Sequence, residues 1–386
     1  MYRLKSITSF LILITVFTHQ AKSQLVDSII GAPIDKAVTL IGKNNIIDNI
    51  TPDVKLVGLG EIAILAKETT LFNTRLAAYL ISRRDFRMVV LNQSNFVLRP
   101  LNDYLSGNSG FDKDTMDSIA HLSLQQSMYS SQEMMQFLYW LKKHNLKFPS
   151  KKISISGSAG PEGLIPVYYF LTHYIYPVDP EQGRLFSSRW QAPNYTDSLS
   201  YRDIYAWGSS DKSQSRLKGK NLLTMFNDDV HYNQQVSSLK SYQEAMDMLA
   251  DGVLRHTNMK TIFFSYNEAI VKSKIVVNGG RDTVNSPGLI FQSRLGKHYV
   301  AYLSDFQEVS KTIGNTLMEG LRNKGMQVKE GSFLYNKYTP NIKNYVPRGT
   351  NGGGETRTIL PSENNNGLPF DGLLVLQRVS SANIIR

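Results

Sequence analysis

Short apolar segments alternate with longer segments of helical periodicity in the first part of the chain, and this alternation constrains the fold most. Runs at residues 51–60, 88–91 and 152–157 have the length and composition of buried strands, and two of them end in glycine. The segments between them carry apolar residues at helical spacing, at residues 66–82, 96–105, 116–124 and 132–144. Strands that alternate with helices predict an α/β fold, with a parallel or mixed central sheet flanked by helices.

The second half of the chain is less regular. Residues 163–254 are mostly of helical character with a polar and aromatic middle, which predicts a helical insertion over one edge of the sheet. Apolar runs at 261–265, 298–303 and 372–376 predict further strands, and the glycine- and asparagine-rich residues 348–368 predict a surface loop. With no internal repeat, residues 24–386 are predicted to form a single domain.

Residues 1–23 have the pattern of a secretory signal peptide. Basic residues precede an apolar run at 10–17, and small residues stand before a cleavage site between Ser23 and Gln24. The apolar run is short for a bilayer span, although an uncleaved anchor is the alternative. The expectation is an exported protein, located in the periplasm or outside the cell.

The charge of the chain excludes some partners. The formal net charge is +11, but the basic residues look scattered along the sequence and no nucleic-acid-binding motif accompanies them. No run after the signal peptide is long and apolar enough for a membrane helix. We therefore expect a small-molecule ligand, no nucleic acid and no transmembrane segment in the mature chain, and the sequence names no protein partner.

Several kinds of chemistry have no support in the sequence. There is no cysteine, which excludes a thiolate metal site and a cysteine nucleophile, and no G-x-S-x-G serine motif is present. Gly58-Leu59-Gly60 lacks the third glycine of a dinucleotide-binding motif and is interpreted as a turn. Residues 227–231 (NDDVH) are interpreted as a solvated turn or helix start rather than a metal site. We expect no cofactor and no metal.

Six segments match the motifs of one family in order and with plausible spacing. They are residues 57–61 (VGLGE), 86–91 (FRMVVL), 101–107 (LNDYLSG), 131–145 (SQE and WLKKHN), 262–269 (IFFSYNEA) and 370–376 (FDGLLVL). On these segments the chain resembles the erythromycin esterase-like proteins over most of its mature length. The resemblance implies that family's α/β fold and a site at the carboxyl ends of the strands.

The residues that carry the family's chemistry differ here. In the family, a histidine after the first strand acts as general base on the water that opens a macrolactone ester, and the resemblance places this position on Ile64, which cannot accept a proton. The other ionisable positions of the family fall on Asn73, Asn92, Ala159, Tyr266 and Ala269. The positions that retain the family's residue are Glu61, Glu68 and Asn267.

These substitutions predict a pseudoenzyme with a degenerate active site, which binds a small molecule or serves as a scaffold. A neutral pocket around Glu61 suits a sugar or another polar molecule, although Glu61 could also be no more than a helix-capping acid. The alternative is an ester hydrolase whose acid–base site is rebuilt around Glu61, with Glu68, Glu268 or the Asp229–His231 pair recruited. A third hypothesis is an interaction module whose basic surface docks on a partner or the cell envelope.

Overall fold

The computed structural model describes most of the regular core of the protein. The described residues are 25–107, 117–158, 171–190, 203–207, 239–277, 281–309, 332–335, 348–360 and 369–385, apart from residues 45, 48, 62–65, 94, 119, 122, 125–126, 128, 172–174, 177–178, 204–205 and 353–354. The predicted signal peptide lies outside the described residues. So do Ile64, Ala159 and residues 227–231.

A seven-stranded sheet forms the centre of the molecule, in the order β3-β2-β4-β1-β7-β11-β8. The strands are β1 (Leu56–Glu61), β2 (Met88–Leu91), β3 (Ser154–Gly157), β4 (Thr261–Tyr266), β7 (Tyr299–Val309), β8 (Ser332–Tyr335) and β11 (Gly372–Val379). Six of them are parallel, and β8 pairs antiparallel with β11 at one edge. The predicted α/β class is therefore confirmed.

Helices cover both faces of this sheet. The helices are α1 (Ile34–Lys43), α2 (Lys67–Arg84), α3 (Asn95–Ser106), α4 (Gln132–Lys147), α5 (Pro180–Trp190), α6 (Tyr242–Leu254), α7 (Asn267–Ile270) and α8 (Pro287–Leu295). Residues of α1 to α4 pack on one face of the sheet and residues of α6 to α8 on the other. Residues 25–31 are also helical. Two of these helices, α5 and α6, fall within residues 163–254, and most of the rest of that range lies outside the described residues. The helical insertion and the single domain therefore remain predictions.

The continuous apolar runs of the strands arise because alternate residues enter different cores. The described residues form two hydrophobic cores. Val57 and Leu59 pack in the first core with residues of α1 to α4, whereas Leu56 packs in the second core with residues of α6 to α8. Neighbouring β4 follows the same rule, since Phe264 lies in the first core and Phe263 in the second. A strand that is buried on both faces needs no polar alternation.

The prediction of a surface loop at residues 348–368 is wrong for its first part. Strands β9 (Arg348–Gly352) and β10 (Glu355–Ile359) form an antiparallel hairpin, which joins β5 (Lys274–Val277) and β6 (Asp282–Asn285) in a second sheet of order β6-β5-β10-β9. The partner strand β5 lies far away in the sequence, so the glycine-rich local composition could not reveal this pairing. Residues 361–368 lie outside the described residues.

The interpretation of Gly58-Leu59-Gly60 as a turn is also wrong, because both glycines lie inside β1. A Cβ on Gly58 would lie 2.7 Å from Cγ2 of Ile270, and a Cβ on Gly60 would lie 2.6 Å from Oδ1 of Asn267. Both glycines are therefore required by the close approach of α7 to the strand. This packing brings Asn267 next to the carboxyl end of β1.

No helix in the described part of the chain is long and apolar enough to cross a membrane.

Candidate functional site

The polar residues selected from the sequence meet at the carboxyl ends of neighbouring parallel strands. Glu61 ends β1 and is opposite Tyr266, which ends β4. Asn92 directly follows β2, and its backbone N–H donates to the carbonyl oxygen of Phe264 in β4. In sheets of this type, ligand sites form outside the carboxyl ends of the strands. Glu61, Tyr266 and Asn92 therefore lie at the ends of three adjacent strands, β1, β4 and β2, on one edge of the sheet.

Glu61 is buried, with 2% of its surface exposed. Nδ2 of Asn73, from the second turn of α2, donates a hydrogen bond of 3.1 Å to Oε1 of Glu61. The other carboxyl oxygen, Oε2, has no hydrogen-bond partner among the described residues. The resemblance placed a family arginine at Asn73, so a neutral amide stands here beside the carboxyl group.

Burial raises the pKa of Glu61 from an ordinary 4.5 to about 8, and hydrogen bonds from Asn73 and then Thr70 oppose this rise. No histidine or second carboxylate in the described part of the chain contributes to the shift. A buried carboxyl group without a cation nearby favours its neutral form, because the low-dielectric interior penalises the charge. Glu61 is therefore mostly protonated at neutral pH.

Asn92 forms hydrogen bonds to neutral groups through both its backbone and its side chain. Its backbone N–H is shared between the carbonyl oxygen of Phe264 and the Tyr129 hydroxyl, which lies at 3.1 Å. That hydroxyl donates to the same carbonyl oxygen at 2.7 Å. Nδ2 of Asn92 donates to Oγ of Ser265 at 3.0 Å, and Oγ of Ser158 donates to Oδ1 of Asn92 at 3.4 Å. These bonds fix the orientation of the amide.

Tyr129 links this network to Glu61. Burial raises the pKa of the Tyr129 phenol well above its ordinary value, and the nearby groups of Glu61 and Tyr266 act in the same direction, against the backbone hydrogen bond from Asn92. The phenol therefore keeps its proton throughout the physiological range. Glu61 and Tyr266 both lie close enough to Tyr129 to influence its phenol, and at neutral pH Tyr129 is uncharged and Glu61 mostly so.

Asn267 has a structural role. Its Nδ2 donates to the carbonyl oxygen of Ser304 at 2.7 Å, and its Oδ1 accepts from the backbone N–H of Ser304 at 3.2 Å. Oγ of Ser304 in turn donates to the carbonyl oxygen of Gly60 at 2.9 Å. The side chain of Asn267 thus joins α7 to β7, and Ser304 joins β7 to the end of β1. Ala269 packs in the second core and is not a member of the polar cluster.

Glu68 binds the C-terminal segment of the chain and takes no part in the polar cluster. Its Oε2 accepts from the backbone N–H of Ser380 at 2.7 Å, and its Oε1 accepts from Oγ of the same residue at 2.6 Å. Glu133, at the equivalent position of α4, binds the backbone N–H and the side chain of Asn383 in the same way. We call these paired contacts the tail clasp. Both carboxylates are occupied by it, so neither serves as a second acid beside Glu61.

Of the remaining bases that the sequence hypothesis offers, only Glu268 lies in the described part of the chain. Glu268 is buried at the start of α7, and the Asp229–His231 pair lies outside the described residues, as does Ile64. In the described ranges, no three histidine, aspartate or glutamate side chains gather closely enough to hold a metal ion. Glu61 is therefore the carboxyl group around which the described part of the site is built.

Comparison with known proteins supports the fold. No protein-family model matches the sequence, and no curated protein is significantly similar to it. Two solved structures are similar across almost the whole chain. A protein from Bacillus cereus has a TM-score of 0.58 and 16% sequence identity, with 92% of this chain and 94% of that one covered. A histidine-to-asparagine mutant of the erythromycin esterase EreC has a TM-score of 0.53 and 15% identity, with 90% and 96% covered.

The chain has an erythromycin esterase-like fold. At this level of identity the similarity establishes the architecture, a six-stranded parallel sheet between helices, and not the reaction. The polar cluster at the carboxyl ends of β1, β2 and β4 is therefore interpreted from its own residues.

Sequence reasoning missed four members of the cluster: Thr70, Tyr129, Ser158 and Ser265. Ser158 directly follows β3, so its position at a strand end could have revealed it. Thr70 precedes Asn73 by three residues, which places both on one face of α2 beside Glu61. Tyr129 stands in a segment without regular periodicity, and no local signal indicated that its hydroxyl reaches β4.

Proposed function

We propose that this protein binds a neutral, oxygen-bearing small molecule at the carboxyl ends of β1, β2 and β4, and does not hydrolyse esters. The observation that carries the proposal is the buried carboxyl group of Glu61. Among the described residues, one of its oxygens has no hydrogen-bond partner and no charged group shifts its pKa. A buried polar atom without a partner is a candidate contact for a ligand.

The protonation state of Glu61 defines the ligand chemistry. With a pKa of about 8, the carboxyl group is protonated in roughly nine of ten molecules at pH 7. Because Nδ2 of Asn73 donates to Oε1, the proton belongs on Oε2, where it is available for donation. The complementary ligand atom is a hydrogen-bond acceptor such as a carbonyl, ether or hydroxyl oxygen.

The same neutrality argues against hydrolysis. Activation of water requires a group that accepts its proton at the working pH, and the described cluster offers amides, hydroxyls and a mostly protonated carboxyl group. The position of the family's base is Ile64 in the resemblance, which adds no proton acceptor. An ester could therefore bind here without being cleaved.

The test is ester hydrolysis by the purified protein on a panel of macrolides and small chromogenic esters, with Glu61→Gln as the control. In parallel, thermal shifts measure binding of uncharged sugars and lactones at pH 6 and above pH 9. We expect no turnover, and binding of an uncharged ligand that weakens at the higher pH. Turnover that disappears in Glu61→Gln would refute the proposal.

One observation favours a hydrolase as the second candidate. A carboxylate with a pKa of about 8 is a stronger base than an ordinary glutamate once it has lost its proton. A hydrolase rebuilt around Glu61 would therefore gain activity as the pH rises through 8. A flat, background-level profile across this range would exclude it.

We also propose that the protein is exported after removal of residues 1–23, on the pattern of the N-terminal sequence alone.

A further inference from the structure

A row of cations lies along the amino edge of the central sheet, opposite the polar cluster. Each of five neighbouring parallel strands begins within two residues of a basic side chain. In the order of the strands β3-β2-β4-β1-β7, these residues are Lys152, Arg87, Lys260, Lys55 and Lys297. They are scattered in the sequence, and the sheet assembles them into one row, which we call the basic edge. In this row Lys152, Lys55 and Lys297 are exposed, whereas Arg87 and Lys260 are half-buried.

Backbone hydrogen bonds between strands hold the basic edge together. The N–H of Ser154 donates to the carbonyl oxygen of Arg87, and the N–H of Arg87 donates to that of Lys260, at 3.1 and 3.0 Å. The N–H of Thr261 donates to Lys55, and the N–H of Lys55 donates to His298, at 2.8 and 2.9 Å. The cations therefore stand on adjacent strands, which are about 4.8 Å apart.

The end of α4 extends the basic edge on its β3 side. Asn145 exchanges two hydrogen bonds with the backbone of Ile153, at 2.7 and 2.9 Å, which ties the last turn of α4 to the start of β3. Lys143 and Lys147 are exposed near the end of α4, and Lys151 is exposed on the 3₁₀ turn (Pro149–Lys151) after it. Acidic residues neutralise only part of the surface, since Asp85 pairs with Arg87, and Asp53 pairs with Lys297 at 3.3 Å.

Exposed apolar side chains stand among these cations. Five large hydrophobic residues are exposed in the described part of the chain, and three of them lie at the basic edge. Leu146 is 72% exposed, Phe148 is 42% exposed, and Met259, the residue before Lys260, is 40% exposed. Single exposed apolar residues are common, but three beside a row of cations indicate a binding surface.

The architecture of the fold accounts for only some of these charges. Helices α2 and α4 end at this edge, and Arg84 and Lys147 in their last turns complement the negative ends of the helix dipoles. Lys55, Lys151 and Lys260 lie outside any α-helix, and the dipole argument gives no reason for exposed apolar side chains next to them. Basic residues that surround apolar ones are the combination that binds an anionic bilayer, since the cations attract headgroups and the apolar groups enter the interface.

We propose that the basic edge docks the protein on an anionic phospholipid surface, with Leu146, Phe148 and Met259 entering the headgroup region. The exposed apolar side chains favour a bilayer over a nucleic acid or an anionic polysaccharide, which would offer them no apolar phase. Each cation near such a surface strengthens binding about fivefold at moderate ionic strength.

The experiment is co-sedimentation of the purified protein with vesicles of phosphatidylcholine, with and without phosphatidylglycerol, at low and high salt. We expect binding only to the anionic vesicles, and weaker binding at high salt because salt screens exposed charges. The double variant Lys147→Glu with Phe148→Ser should lower partitioning by at least about tenfold. Both side chains are exposed, so this change leaves the core intact.

A matched control exists in α5. Arg184 and Leu185 also pair an exposed cation with an apolar neighbour, and Leu185 has the same 42% exposure as Phe148. The double variant Arg184→Glu with Leu185→Ser should bind vesicles within about twofold of the unmodified protein. The proposal would be overturned if both double variants lost vesicle binding to the same extent. It would also be overturned if the unmodified protein bound neutral vesicles as well as anionic ones, or if it bound an immobilised anionic polysaccharide but no vesicles. Absence of binding to any of these surfaces would overturn it as well.

Discussion

The buried carboxyl group of Glu61 predicts a specific pH dependence of stability. In the unfolded chain this group titrates near 4.5, and in the folded protein it titrates near 8. Between pH 4.5 and pH 8, Glu61 is therefore mostly protonated in the folded state and mostly deprotonated in the unfolded state. The contribution of Glu61 to the free energy of unfolding is complete below pH 4.5, decreases as the pH rises, and is lost above pH 8. Each pH unit in this window is worth about 1.36 kcal/mol.

The variant Glu61→Gln isolates this contribution, because glutamine resembles the protonated carboxyl group in shape and does not titrate. Between pH 5 and pH 8, the stability of the unmodified protein should fall relative to Glu61→Gln by about 4 kcal/mol, from three pH units at about 1.36 kcal/mol each. Urea unfolding at several pH values measures the free energy of unfolding of both proteins. An unchanged slope of this free energy against urea concentration confirms that both expose the same surface on unfolding.

A second variant tests the cause of the shift. Asn73 donates to Glu61 and opposes the rise in its pKa, so Asn73→Leu should raise that pKa further and extend the loss of stability to higher pH. A stability difference between the unmodified protein and Glu61→Gln that stays constant across pH 5–8 would refute the reasoning. It would mean that the carboxylate is charged and solvated in the folded protein.

Three further predictions concern the packing of the site and the two ends of the chain. Gly60→Ala should cost about 1–3 kcal/mol of stability in urea unfolding, because its Cβ would lie 2.6 Å from Oδ1 of Asn267. Asn383→Ala should cost about 1.5–3 kcal/mol in the same assay, since it removes the side-chain hydrogen bond of 2.7 Å to the Glu133 carboxylate in the tail clasp. Expression in a bacterium with N-terminal sequencing of the secreted protein should find cleavage after Ser23; recovery of the intact N-terminus would contradict the predicted signal peptide.

The sequence was informative wherever structure depends on local periodicity. The predicted helix at residues 66–82 is α2 (Lys67–Arg84), and the predicted strand at 88–91 matches β2 exactly in its bounds. The spacing of apolar residues along the sequence indicates buried strands and amphipathic helices. Glu61, Asn92 and Tyr266 all occur at strand ends, and for this reason local patterns could indicate their position along the strands.

Features that depend on contacts between distant residues could not be predicted. The local composition of strand β10 predicts a loop, because its partner β5 lies about eighty residues earlier, as the pairing of Thr358 with Val276 shows. The sequence alone offers Glu68 as a replacement base, whereas the structure gives it Ser380 as a partner. The basic edge was dispersed in the sequence, and only the order of the strands places its lysines side by side.

The polar cluster and the basic edge lie at opposite ends of the same strands, and this separation makes ligand binding and membrane docking independent. Strand β1 runs from Leu56, next to the basic edge, to Glu61 in the polar cluster, and its six residues span roughly 17–20 Å. A bilayer that contacts the basic edge therefore leaves the carboxyl ends of the strands on the solution side. Glu61→Gln should consequently bind anionic vesicles as well as the unmodified protein does, while the pH dependence of its ligand binding is abolished. If Glu61→Gln instead released the protein from vesicles, the two ends of the sheet would have to be coupled, and the assignment of the basic edge as the membrane contact would fail.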